Sequence, residues 1–247
     1  MSKTVIITGA SSGIGLAIAK HFIEKGDKVI MNANNPERLK AAYESLGSPQ
    51  NATYLSGDIS KAETGKSLVV LALEKYSRVD VLINNAGVFL PKPFLDVEEA
   101  DLDRFWSVNL KGTYFTTQAV VPQMIAQNNG TIINIGTVLV DHAIAGFPAS
   151  AAVASKGGVH ALTKQLAAEF GGNNIKVNTI APGIIRSPLQ GKIGVSNADD
   201  LAGLHLLNRV GEASEIAEMT YHLANSNFIT GEVINVDGGH VAGHAFN

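Results

Sequence analysis

Seven short apolar runs recur along the chain: Thr4–Ile7, Lys28–Met31, Ala52–Leu55, Val79–Ile83, Thr131–Ile135, Ile175–Ile180 and Val233–Val236. Between them lie segments with helical periodicity, over approximately Gly13–Lys25, Glu37–Leu46, Lys61–Tyr76, Val108–Gln127, Ala151–Phe170 and Glu212–Leu223. Strand-length runs alternating with helix-length segments predict a parallel sheet with crossover helices, because parallel strands need long connections and bury both faces. The expected fold is therefore α/β, a doubly wound parallel sheet of about seven strands with helices on both faces. No repeat or low-complexity linker divides residues 1–247, and the length suits one domain. One stretch, Ser187–Gly211, carries no clear strand but does carry Leu201, Leu204, Leu206 and Leu207. It reads either as a substrate flap over a pocket or as a packed surface excursion.

Composition excludes several classes of function. Charged residues are 17% of the chain, the formal net charge is −3, and there is no long run of either sign. Neither disorder nor a nucleic-acid surface is expected, and small molecules are the expected partners. The chain has no cysteine, which removes disulfides and thiolate chemistry, and no His/Asp/Glu set has metal spacing. Its first residues form a short apolar run broken by Gly9, unlike a secretory signal, and no run approaches the roughly 20 apolar residues of a bilayer span. A soluble, cytoplasmic protein without membrane partners is expected.

The turn Thr8-Gly9-Ala10-Ser11-Ser12-Gly13-Ile14-Gly15 follows the first strand and opens the first helix. Glycine permits a tight turn and close backbone approach, and the exposed N–H groups of a helix start attract a pyrophosphate. Gly9, Ser11, Ser12, Gly13, Ile14 and Gly15 thus form a candidate dinucleotide-binding turn, and the fold becomes Rossmann-like. The second strand ends in Met31-Asn32-Ala33-Asn34-Asn35, with no carboxylate to hold both ribose hydroxyls and repel a 2′-phosphate. This favours NADP(H) over NAD(H), with Arg38 or Lys40 as candidates for the extra phosphate. Asn32 and Asn34 are equally able to hold an unmodified ribose. Asp58, followed by Ile59, is a candidate for the adenine amine, against the alternative that it caps the next helix.

Four further segments, Asn84-Asn85-Ala86-Gly87, Asn109, Ser155-Lys156-Gly157-Gly158 and Ala181-Pro182-Gly183, resemble the classical short-chain dehydrogenase/reductase family. The ending Thr230–Gly239 resembles it too, so the likeness covers nearly the whole chain. The resemblance implies that Asn85, Ala86 and Gly87 line the cofactor. It implies that Lys156 binds the nicotinamide ribose and lowers the proton affinity of a catalytic acid. Asn109 would support a proton-relay water through a locally adapted helix, and Pro182, Gly183, Ile185 and Ser187 would border the nicotinamide. A homotetramer is also implied.

The family places a catalytic tyrosine four residues before the lysine, and this chain has Ala152 there. Hydride reduction of a carbonyl leaves an alkoxide that needs a proton, and alanine has none to give. Thr137 best matches the family serine and keeps a hydroxyl for polarising a carbonyl. His142, beside Asp141, is the nearby group of general-acid character, with an exposed loop histidine as the alternative. Ser150 is expected to cap the helix that carries Lys156, and His205 to be a packed or half-exposed residue of the flap. The catalytic candidates are Asn109, Thr137, Lys156 and His142. The expected function is an oxidoreductase moving hydride between NADP(H) or NAD(H) and a ketone/secondary alcohol pair, by a tyrosine-independent route or in a catalytically impaired form, with a small neutral substrate. The alternative is a nicotinamide-binding protein of regulatory or structural role without turnover.

Overall fold

The computed structural model describes residues 2–188, 191 and 196–243. Its sheet takes β1 (Thr4–Thr8), β2 (Lys28–Ala33), β3 (Ala52–Ser56), β4 (Val81–Asn84), β5 (Gly130–Ile135), β6 (Ile175–Pro182) and, after two short strands numbered β7 and β8, β9 (Val233–Val236). They lie in the order β3-β2-β1-β4-β5-β6-β9, and every pairing is parallel. Successive side chains of a strand point to opposite faces, so a strand covered on both sides must be apolar at every position. Val5 and Ile7, Val29 and Met31, Val81 and Ile83, Ile133 and Ile135 enter one core. The alternate residues Ile6, Ile30 and Leu82, and Ile132 before Ile133, enter the other.

The first core is closed by α1 (Gly13–Glu24), α2 (Pro36–Ser45) and α7 (Ala213–Asn225), through Ile18, Phe22, Leu39, Ile216 and Leu223. The second is closed by α3 (Ala62–Tyr76), α5 (Gly112–Gln127) and α6 (Ser150–Phe170), through Leu68, Val120, Met124 and Ala167. Full burial of each such side chain contributes about 1.5–3 kcal/mol. The strand order reverses between β1 and β4, and in open α/β sheets the crevice beyond the carboxyl ends at such a reversal receives ligands.

Three elements differ from the sequence expectation. The strand expected from Val79 begins at Val81, because Val79 instead pairs its N–H and C=O with the Gln127 amide at 3.1 and 2.7 Å. The helix expected from Val108 begins a full segment earlier, with α4 (Glu99–Phe105) continuing through a π-helical turn, Trp106–Lys111, into α5. The Ser187–Gly211 segment is bracketed by a parallel pair, β7 (Ile185–Arg186) and β8 (Gly211–Glu212), and holds a 3₁₀ helix, Ala198–Leu204. Residues 189, 190 and 192–195 of this expected flap lie outside the described residues.

Candidate active site

The glycine turn after β1 is shaped as much by packing as by ligand access. Gly9 and Gly13 have φ of +68° and +53°, in the left-handed region that side chains disfavour. A Cβ on Gly9 would lie 2.7 Å from Ala86 Cα, and one on Gly15 would overlap the Gly9 carbonyl oxygen and Asn85 Nδ2. Thr8 Oγ1 accepts from the N–H groups of Asn85 and Ala86, both at 3.1 Å, while Asn85 Nδ2 donates to the carbonyls of Thr8 and Gly9. The loops after β1 and β4 are thereby locked together. A Cβ on Gly13 would meet nothing closer than Ser187 Cβ at 3.4 Å. The N-cap of α1 is Ser12, whose side chain makes no capping bond, so the first N–H groups stay open to an anion.

The turn forms one end of a cavity of about 1200 Å³. Gly9, Ser11, Ser12, Gly13, Ile14, Gly15, Asn32, Asn34, Asp58, Ile59, Asn85, Ala86, Gly87, Lys156, Pro182, Gly183, Ile185 and Ser187 all line it, as does Thr137. Asn32 is buried, and its amide donates to the carbonyls of Leu55 and Gly57 at 3.0 and 3.2 Å, while its Oδ1 has no protein partner. Arg38 lines the cavity, whereas Lys40 pairs with Glu44 at 3.7 Å along α2. Asp58 does not cap α3: its carboxylate accepts from Ser60 N–H at 2.9 Å, and the cap position falls on Lys61. An open helix start, an orphaned buried acceptor and a neighbouring arginine fit an adenosine phosphate ligand.

At the other end, α6 and the π-helical turn bring Lys156 and Asn109 together against Gly87. A Cβ at Gly87 would sit 3.1 Å from Asn109 Oδ1 and 3.2 Å from Lys156 Nζ. Asn109 is fully buried; its Oδ1 accepts from Val88 N–H at 2.8 Å and its Nδ2 donates to Val88 O and Ser155 Oγ. The π turn adds a residue to the helical repeat, which re-aims this side chain toward the β4 loop. Lys156 Nζ donates to Ile135 O at 2.6 Å. The lysine is half-buried in the cavity wall, no carboxylate among the described residues forms an ion pair with it, and burial pulls its pKa down to about 8. Thr137 Oγ1 accepts from Leu139 N–H at 3.3 Å and keeps its own proton to donate.

Ala152 is only 1% exposed and packs in an apolar cluster with Phe105, Ala151, Val88, Phe89 and Val97. The position four residues before Lys156 is thus packed against hydrocarbon. His142 is not among the residues lining the cavity; its ring lies edge-on to His240, with centroids 5.1 Å apart. Ser150 does not cap α6, because the helix begins on it and Ala149 holds the cap position.

His205 is packed, as the sequence suggested, and the structure adds contributors that were not read from it. His205 is buried, and its Nε2 accepts from Ile184 N–H at 3.1 Å, fastening the 3₁₀ segment to the Pro182–Ile185 turn. Ser155 Oγ sits between Asn109 Nδ2 and the Ala152 carbonyl. Phe89 and Phe147 stack at 6.0 Å in the cavity wall, and Arg104 lines it from α4. Only the Ser155-Lys156 pair carried a local signal.

The chain resembles known proteins over most of its length. The profile of the short chain dehydrogenase family matches residues 3–197. The 3-oxoacyl-[acyl-carrier-protein] reductase FabG of Thermotoga maritima is 37% identical over 241 residues, covering 96% of this chain and 97% of that protein. Oxidoreductase UcpA of Escherichia coli (strain K12) is 35% identical over 248 residues, covering 96% and 94%. Among solved structures, ElxO with NADP bound superposes with a TM-score of 0.91 at 31% identity, covering 98% of this chain and all of that one. With a matched profile over most of its length and relatives of more than 30% identity end to end, the chain belongs to the short-chain dehydrogenase family of oxidoreductases.

Proposed function

We propose that the chain is an NADP(H)-preferring oxidoreductase that interconverts a small neutral ketone and its secondary alcohol without a tyrosine acid. The observation that carries this reading is the joining, in one cavity, of an open phosphate turn with the Gly87, Asn109 and Lys156 cluster. Arg38 beside Asn34, with no carboxylate between Met31 and Asn35, supports NADP(H) over NAD(H). The ElxO structures with bound NADP and NADPH point the same way. When bound, the dihydronicotinamide supplies the hydride. Gly9, Ser11, Ser12, Gly13, Ile14 and Gly15 would hold the pyrophosphate, with Asn32, Asn34, Asp58 and Ile59 around the adenosine. Asn85, Ala86, Gly87, Lys156, Pro182, Gly183, Ile185 and Ser187 would surround the nicotinamide riboside. Thr137 polarises the substrate oxygen. Val88, Phe89, Leu139, Ile144 and Phe147 give the substrate end a largely apolar wall, which suits a neutral carbonyl compound.

The segment 187–211 serves in this reading as a substrate flap hinged on the β7–β8 pair. Exposed Leu102, Trp106 and Tyr114 on the α4–α5 side supply an apolar surface for the homotetramer that the family suggests. No helix among the described residues is long and apolar enough to cross a membrane, and the cysteine-free chain is assigned to the cytoplasm. The sealing of Ala152 favours one second reading, a nicotinamide-binding protein of regulatory or structural role without turnover. Oxidation of NADPH and NADH across a ketone and imine panel decides between them, with Ala152→Tyr assayed in parallel. Turnover by the wild type establishes a tyrosine-independent route. Turnover only by the variant establishes the binding role.

A further inference from the structure

We propose that the Lys156 ammonium is itself the general acid of reduction, delivering to the new alkoxide the proton that the residue at position 152 cannot supply. The proposal rests on the oxidoreductase reading above and names the proton source within it. The start of α6 offers no alternative: Ser150 is not among the cavity-lining residues, Ala151, Ala152 and Val153 bear no acidic hydrogen, and Ser155 Oγ is fully buried between Asn109 and the Ala152 carbonyl. Thr137 can polarise an oxygen, but losing its proton would leave an alkoxide as basic as the one it protonates. His142 is not among the cavity-lining residues, and His160 is buried with its Nε2 against Gly136. Arg38 and Arg104 hold their protons too firmly to release them.

Nζ, in contrast, lines the cavity, and one of its three N–H bonds is directed to Ile135 O, leaving the other two for ligands. Charged groups on the elements packed around α6 do not neutralise it. Arg104 on α4, Lys111 on the π turn and Lys176 on β6 are themselves cations, Asp101 on α4 pairs with Lys92, and Asp141 after the 3₁₀ turn makes no ion pair with Lys156 among the described residues; the pKa of His160, one turn along α6, is lowered by burial first, raised by Asp141 and lowered further by Lys156 and Lys164. Desolvation alone brings the ammonium to about 8, within reach of the pH at which proton transfer is most efficient. The step balances. Hydride from a dihydronicotinamide bonds to the carbonyl carbon, the C=O π pair moves to oxygen, and that oxygen bonds a proton from Nζ while the N–H pair stays on nitrogen. The neutral amine then takes a proton from solvent. In alcohol oxidation the same amine is the base.

The test compares wild type, Lys156→Arg and Lys156→Ala for NADPH binding by fluorescence and for ketone reduction across pH. Arginine keeps the charge but not the transferable proton. The expected result is reduction by wild type that falls as pH rises through about 8. Lys156→Arg should bind NADPH within about fivefold yet reduce ketone about 100-fold more slowly, without that limb. Added ethylammonium should restore turnover to Lys156→Ala. Lys156→Arg turnover within tenfold of wild type, with the limb intact, overturns the proposal alone. NADPH binding by a wild type that turns over nothing in the panel overturns both the proposal and the oxidoreductase reading. Should both variants lose NADPH, the wild-type profiles decide: mirrored limbs near 8 in reduction and oxidation support the proposal, and flat profiles overturn it.

Discussion

The two ends of the cavity are built on different principles. At the phosphate end, Gly9, Gly15, Thr8 and Asn85 are fixed by one another: each glycine is hemmed in by backbone, and one threonine hydroxyl receives two N–H groups from the next loop. At the Lys156 end, the side chain at position 152 is a methyl group packed in an apolar cluster. Cofactor recognition by backbone is therefore inseparable from the fold. The side chain at position 152 takes no part in that lock, so it is free to change while the sheet, the glycine turn and the lysine stay as they are.

The largest expected effect lies at the phosphate end. Gly15→Ala drives a methyl into the Gly9 carbonyl and Asn85. It should cost about 1–3 kcal/mol of stability and abolish measurable NADPH binding, read by thermal melts and fluorescence titration. Retained binding would break the claim that this end is set by packing. Next, Asn109→Ala leaves the buried Val88 N–H and Ser155 Oγ without their present partner. A loss of about 1–3 kcal/mol is expected, lowering the melting temperature by roughly 2–12 °C. An unchanged melt would show that the reducing end depends on this residue far less than its geometry says.

Smaller effects sharpen the contrast. Arg38→Ala should weaken NADPH about tenfold and NADH by less than about twofold, since only the former presents a phosphate to the guanidinium. Equal losses would remove the basis for an NADP(H) preference. His142→Ala should leave reduction within about twofold of wild type, under half a kcal/mol of barrier. A drop of a hundredfold would return the acid role to the histidine and away from Lys156.

The sheet was readable because every parallel strand must be apolar on both faces, so runs such as Val5-Ile6-Ile7 stand out without context. The start of α4 was not readable. Its capping box joins two acids, Glu98 and Asp101, in place of the usual serine or threonine, and a π turn leaves the apolar pattern of the flanking helix unbroken. Asp58 and Ser150 show the opposite error: each is a good capping residue placed just off the cap, Asp58 three residues before it and Ser150 one after. The cavity-lining residues followed motifs of fixed local spacing. The covering of Ala152 by Val88 and Phe89, and the anchoring role of His205, arise from contacts across the chain that no local window contains.

The β7–β8 pair has one more consequence. With Gly211 N–H donating to Ile184 O at 2.9 Å, the segment leaves the fold and returns to it at nearly the same point. Closing a longer or shorter loop between fixed ends changes the free energy only slowly, by about 0.6 kcal/mol per doubling of length. Insertions and deletions between these two strands that spare the buried His205 anchor are thus almost invisible to the sheet. A lineage carrying this scaffold can vary the length of that connection while the sheet and the glycine turn are inherited unchanged.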